Sequence, residues 1–270
     1  METNKQILMS YNSFKKDVCA HLAKYNSWGN GTFRGKTYSH IANIEGKQKD
    51  DVVLEIIKSD GVEKTDMFSK PHQYAHHLNS SQVVCYEFFR PLIDHKNDML
   101  KAIEIMGIPS NAFIDFNAEF EKEFDDGEGT NFDFYLSANK TNNLYVEVKY
   151  TEQGFGTCDD DERHRLKFEN TYEILINNSP CIKEDLKKEI DFIQMQKCYQ
   201  LFRNVLRIKN DSDYVVFLFP EKNSIAKTQY ENFRDRYLSS KGKQNVIGVY
   251  WESLTGLMSN HFKEKFFFYA

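Results

Sequence analysis

At 270 residues, 40% of them hydrophobic and 14% aromatic, the chain can bury a full core and is too apolar to be disordered. A formal charge of -5 argues against a nucleic-acid partner, since most proteins that bind one carry a visible basic excess, although the distribution of charge matters more than its sum. The longest apolar run, Tyr214 to Pro220, is far short of a membrane span, and the first residues lack the apolar stretch of a secretion signal.

In chain order, residues 5 to 25 read as a helix, with Phe14, Val18, Cys19 and Leu22 at three- and four-residue spacings. A loop from Asn26 to Gly35 follows, and Val52 to Lys58 reads as a second helix stopped by Asp60-Gly61. Residues 61 to 79 are polar and irregular. A helix is expected from Ser81 to Arg90, capped by Ser80 or Ser81 and limited by Pro91, and another from His95 to Met106, ended by Gly107 and Pro109. The period then changes from helical to alternating. Phe113 to Phe124, Asn131 to Leu136 and Leu144 to Tyr150 read as three strands, with turns at 125 to 129 and at Ala138 to Asn143. Residues 151 to 170 read as a loop and 183 to 209 as one long helix. Tyr214 to Phe219 has the continuous apolarity of a strand covered on both faces, Ala226 to Leu238 reads as a helix, and Asn245 to Tyr250 closes the series as a strand. The order predicts an α/β mixed sheet flanked by helices.

The five cysteines, none at CxxC spacing, read as free thiols, and the expected compartment is the reducing cytoplasm. Charge is unevenly spread: residues 115 to 133 hold eight acids against Lys122 alone, whereas residues 1 to 50 hold eight Lys or Arg against four acids.

The phase of the acids carries the chemistry. Strand alternation turns Phe132, Phe134 and Leu136 to one side and Asp133 with Tyr135 to the other; it turns Leu144, Val146 and Val148 to one side and Glu147 with Lys149 to the other. If the strands pair, Asp133 and Glu147 meet, and two close carboxylates need a proton or a cation. Mg2+ suits hard oxygen ligands, with Mn2+ as a substitute, and the main-chain carbonyl of Val148 is a further candidate ligand. Lys149 would position the nucleophile or stabilise charge on the phosphoryl group. An ammonium or guanidinium filling the cation's place between the two acids would end this reading. So would the plainer alternative, in which Glu147 and Lys149 are a solvated strand face.

Asp133, thirteen residues, then Glu147-Val148-Lys149, resembles the core motif of the PD-(D/E)xK nuclease superfamily, in an uncharacterised prokaryotic restriction-type group. Phe132 stands where that motif often has proline. The resemblance covers residues 80 to 220 and implies a restriction-endonuclease-like core with a helical N-terminal extension. It implies that Glu87, in SSQVVCYEFFRPL, assists catalysis, as a ligand through water or at a second ion, and that Gln196 and Gln200 support the site. The expected division is an extension over 1–79, a DNA-contacting candidate, and a catalytic core over 80–270. The expected activity is Mg2+-dependent endonucleolytic hydrolysis of double-stranded DNA, type II-like, with a homodimer implied by the resemblance alone. The rival readings are a non-catalytic nucleic-acid-binding relative and a protein-interaction domain. Trp28, Arg34, Lys36 and Arg203 are candidates for nucleic-acid contact; the set Trp28, Phe33, Arg34, Lys36 suits a docked loop equally well. His72, His76 and His77 lack the intervening glutamate of HExxH and read as a polar surface segment.

Overall fold

The computed structural model describes residues 3–68, 71–124 and 130–270; the turn expected at 125 to 129 lies outside them. Helix α1 (Asn4–Leu22) opens on a capping box in which Thr3 and Gln6 satisfy each other's backbone amides, and it buries Tyr11, Phe14, Val18 and Leu22. The segment expected as a loop forms a hairpin instead, β1 (Asn30–Phe33) with β2 (Lys36–Ala42). Arg34 and Gly35 turn it, both in the left-handed region (φ +49° and +73°). Helix α2 (Lys49–Ser59) follows. The N-terminal extension is therefore helical with a two-stranded sheet added. Residues 72 to 78 dock along β2, where His76 O accepts from Ala42 N (3.1 Å) and His40 O accepts from Leu78 N (3.0 Å).

Helix α3 (Ser81–Asp94) does not stop at Pro91 but runs a turn beyond it, and Ser80 makes no side-chain cap. A proline removes one helical donor, and burial of nearly the whole helix, from Gln82 to Arg90 and again at Leu92, outweighs that loss. Helix α4 (Lys96–Ile105) leads into β3 (Phe116–Glu123), β4 (Asn131–Ala138) and β5 (Asn142–Val148), an antiparallel meander. Residues 162 to 178, in large part expected as loop, form α5 (Glu162–Lys167), a π-helical turn and α6 (Glu173–Asn178). The long helix expected over 183 to 209 is broken into α7 (Phe192–Lys197) and α8 (Tyr199–Val205) by a kink at Cys198 (φ -125°). The parallel strand β6 (Asp213–Phe219), helices α9 (Ser224–Tyr237) and α10 (Ser240–Asn245), β7 (Val246–Tyr250) and α11 (Asn260–Phe266) complete the chain.

The main sheet has the order β3-β4-β5-β6-β7, antiparallel through β5 and parallel from β5 to β7. It is a mixed five-stranded sheet with helices on both faces, the architecture of a restriction-endonuclease-like core with an N-terminal helical extension. One face packs Phe134, Leu136, Val146 and Val148 against α3, α4 and α11, and the N-terminal residues join that core. The other packs Tyr135, Tyr145, Val215 and Phe217 against the helices from α6 to α9. Every residue of β6 from Val215 to Phe219 is buried, as its unbroken apolar run requires. Among the described residues no helix is long and apolar enough to cross a membrane.

Candidate functional site

The alternation expected along β4 fails at one residue, and that residue is Asp133. Phe134 and Leu136 join one core, but Phe132 joins the other, beside Tyr145 (ring centroids 4.9 Å apart). Pairing between β4 and β5 ends at Phe134↔Val146. Beyond it, Asp133 Oδ2 accepts from Val148 N at 2.6 Å. Amides alternate in direction along a strand, and Lys149 N turns to β6, where it donates to Leu218 O at 2.8 Å. Val148 N therefore faces β4, and the Asp133 carboxylate stands there as its acceptor. The Val148 carbonyl shares that side. Asp133 thus lies at the opening between two strands rather than on the face with Tyr135.

Register places the acids in a row. Phe120↔Phe134 and Lys122↔Phe132 flank Glu121 and Asp133, and one step beyond Phe134↔Val146 sets Asp133 beside Glu147. Glu121 has a left-handed backbone (φ +49°), and its carboxylate turns toward Asn131 (3.4 Å) and Gln82. Sequence reading missed Glu121, although the register argument used for Asp133 and Glu147, carried one strand further, reaches it.

Glu147 and Lys149 are not a solvated face: they are 4% and 8% exposed. Glu147 is fully engaged. Its Oε1 accepts from Lys149 Nζ (2.8 Å) and Gln200 Nε2 (2.5 Å), and its Oε2 from Asn204 Nδ2 (3.0 Å). Gln200 is itself held by Gly156 N, which donates to its Oε1 at 3.0 Å. Asn204, four residues after Gln200 on α8, escaped sequence reading; helical spacing from Gln200 would have found it. Gln196 does not reach the acids and donates to Cys158 O (3.1 Å), tying the 151–158 segment to α7.

Burial first, then the Glu147 and Glu121 carboxylates, push Asp133 well above the usual carboxylate range, against Lys149 and the Val148 amide. Burial, with Glu147 beside it, lifts Glu121 to about 7, although Gln82 and Asn131 pull the other way. Burial works against the Lys149 ammonium, but Glu147 and Asp133 outweigh it and its pKa is raised.

Asp133, Glu147, Lys149, Glu121 and Gln200 line one open cleft of about 440 Å³. Its other wall comes from the N-terminal segment and the start of α3, through Lys15, Phe33, Tyr74, His77 and Gln82. Glu87 is not brought to this cleft. It lies five residues after Gln82, about 140° around the helix. It borders a separate cavity of about 370 Å³ and sits in a buried group with Lys265 and Asp60. Burial lifts its pKa far up, Lys265 opposes that, and Asp60 adds to it. Trp28 donates to Glu55 (3.0 Å), Arg34 lies over the Phe33 ring (5.1 Å) and Arg203 over Tyr199 (5.7 Å). These three and Lys36 do not line the cleft.

Among the described residues no group of three or more His, Cys, Asp or Glu side chains is placed to hold a metal ion. Asp133 and Glu147 offer hard carboxylate oxygens, and the repulsion by which Glu147 helps raise Asp133 is the kind a hard divalent cation relieves; in chemistry these donors suit Mg2+ or Mn2+.

A family model described as "Restriction Endonuclease associating with ARP" (REase-ARP) matches residues 20–267, a span that holds every residue of the cleft named above except Lys15. No curated protein and no solved structure matches the chain.

Proposed function

The chain belongs to the REase-ARP family, and from that membership and the acid-bearing cleft we propose that it is a PD-(D/E)xK-type endonuclease hydrolysing DNA phosphodiester bonds with Mg2+, or Mn2+ in its place. The observation that carries the reading is the adjacency of the half-buried Asp133 and the buried Glu147 at the place where β4 and β5 part, with Lys149 against Glu147 in an open cleft. Asp133, Glu147 and the Val148 carbonyl would hold the cation. When bound, it polarises a phosphoryl oxygen and lowers the pKa of a water. Lys149 stays charged in this setting, so it serves as an electrostatic clamp on the phosphoryl group rather than as a base. Gln200 and Asn204 fix the Glu147 carboxylate, and residues 1–79 supply the facing wall of a cleft whose chemistry belongs to 80–270.

A second reading, a DNA-binding relative that does not cut, is favoured by one observation. The Lys149 ammonium, Gln200 and Asn204 already satisfy Glu147 without a metal. A plasmid-nicking assay separates the two. The nuclease reading expects nicked or linear DNA with Mg2+, none with EDTA, and at least about a hundredfold less with Lys149→Ala. A plasmid retarded in a gel but uncut with every divalent cation gives the second reading instead.

A further inference from the structure

One end of the cleft takes no part in the phosphodiester chemistry. It is walled by Phe33, at the end of β1, and by Tyr74 and His77 from the segment docked along β2. The three rings form a near-equilateral triangle: centroids are 5.2 Å apart for Phe33–Tyr74, 5.3 Å for Phe33–His77 and 5.3 Å for Tyr74–His77. Phe33 stands edge-on to both partners, at 82° and 78°. Tyr74 keeps 36% of its surface exposed beside the cleft. Lys15 of α1 lines the same wall, and Asn79 and Ser81 line the cleft with it.

We propose that this aromatic wall seats one unstacked base of the strand to be cut, with Lys15 placed for its phosphate, so that the substrate enters as an unpaired nucleotide. The inference rests on the phosphodiester reading and adds the form in which the substrate is taken. Three observations support it. The volume, about 440 Å³, falls within the range of roughly 300–1,000 Å³ typical of small-ligand clefts. That is room for a nucleotide. Every base has a π face, so an exposed ring accepts an unpaired nucleotide whatever its identity. Finally, Lys15 stands on the same wall, a cation beside the rings for the phosphate of the seated nucleotide. Burial and the neighbouring histidines hold His77 down at about 4, so near neutrality its ring is uncharged and presents a π face.

The test is equilibrium binding by fluorescence anisotropy with Ca2+, another hard cation for oxygen ligands. The probes are a short oligothymidylate, the matching duplex, and a strand of equal length in which abasic spacers replace the bases. Wild type is expected to bind the thymidylate strand more tightly than the duplex, and about five- to a hundredfold more tightly than the abasic strand. Tyr74→Ala should lose that margin on thymidylate and leave the abasic strand unchanged; Tyr74→Trp should keep it. Equal binding of the thymidylate and abasic strands by wild type, an equal loss on both in Tyr74→Ala, or tighter binding of duplex untouched by Tyr74→Ala overturns the proposal. If it fails while plasmid is still cut with Mg2+, the nuclease reading stands and only the base seat falls. If no nucleic acid binds and none is cut, both fall.

Discussion

Glu147 is the most constrained side chain of the cleft, with Lys149, Gln200 and Asn204 all donating to its two oxygens. Asn204 is fully buried, so Asn204→Ala leaves Glu147 Oε2 without its partner where water cannot easily replace it. A stranded buried acceptor costs about 1–3 kcal/mol, more when charged. For a chain of this size that is a fall in Tm of several degrees. Calorimetry on Asn204→Ala checks it, and an unchanged Tm would mean that Asn204 is not needed to hold the carboxylate. Gln200→Ala should cost less stability, because Gln200 is half exposed, yet it frees both Glu147 and the Gly156 amide. Its signature is a weakened metal response with little loss of Tm. At this scale the sequence told a good deal about β5, because strict alternation sets Glu147 and Lys149 against Val146 and Val148. It told less about Asp133, because the strand turns at that residue and puts Phe132 in the opposite core from Phe134. Glu87 was misplaced for a different reason. Helix α3 is buried nearly all round, so a glutamate's presence on it does not say which face meets the sheet opening.

Strands were more legible than the connections between helices. β6 declared itself by an unbroken apolar run, and the meander by alternation, since both patterns follow from burial on a pleated surface. The segment from 151 to 208 did not. Helices α7 and α8 are six and seven residues long, too short to establish a period, while α5 and α6 join through a π-helical turn that shifts the period; they are held by tertiary contacts such as Gln196 with Cys158 O and Tyr172 Oη with Tyr199 Oη (3.1 Å). The hairpin of β1 and β2 was missed because its first arm is only four residues long and opens on Asn30-Gly31, which read as loop. Strand β7 offers a test of how tightly this framework is closed. A Cβ on Gly248 would stand 2.3 Å from the ring of Tyr230, a residue of α9 whose hydroxyl donates to Val246 O at 3.1 Å. Tyr230 is buried between the sheet and α9 and cannot swing aside. Gly248→Ala should therefore destabilise the fold by about 1–3 kcal/mol, the usual cost of overpacking. Pairing it with Tyr230→Phe, which removes the hydroxyl but not the ring, should give no relief, while Tyr230→Leu should recover part of the loss. Denaturant midpoints read these differences, and full stability in Gly248→Ala alone would contradict the packing of α9 on β7.

Across the whole molecule the two ends of the cleft respond to pH in opposite senses. His40, His72, His76 and His77 lie on the N-terminal side, and burial lowers all four, His77 to about 4. A base whose folded pKa lies below its unfolded value of 6.5 is protonated first in the unfolded chain. Its contribution is whole above pH 6.5 and drains away as pH falls toward 4. At the acid end the sign reverses. Glu121, about 7 when folded against 4.5 unfolded, holds its proton in the native state, so its contribution is present below 4.5 and is lost as pH rises through 7. Asp133 is shifted in the same direction. The two windows overlap, so in the metal-free protein the histidine and Glu121 slopes oppose each other between about pH 4.5 and 6.5, measurable as Tm against pH. Glu121→Gln should flatten the alkaline limb, and His77→Gln the acid limb. A divalent cation relieves the carboxylates where the proton no longer does, so Mg2+ should raise Tm much more at pH 8 than at pH 5.5, since binding must displace protons at the lower pH. It should leave the acid limb of the histidines unchanged, because they stand with the aromatic wall and not with the oxygen donors. Equal Mg2+ stabilisation at both pH values would show that the cation, if it binds at all, binds away from Asp133 and Glu147.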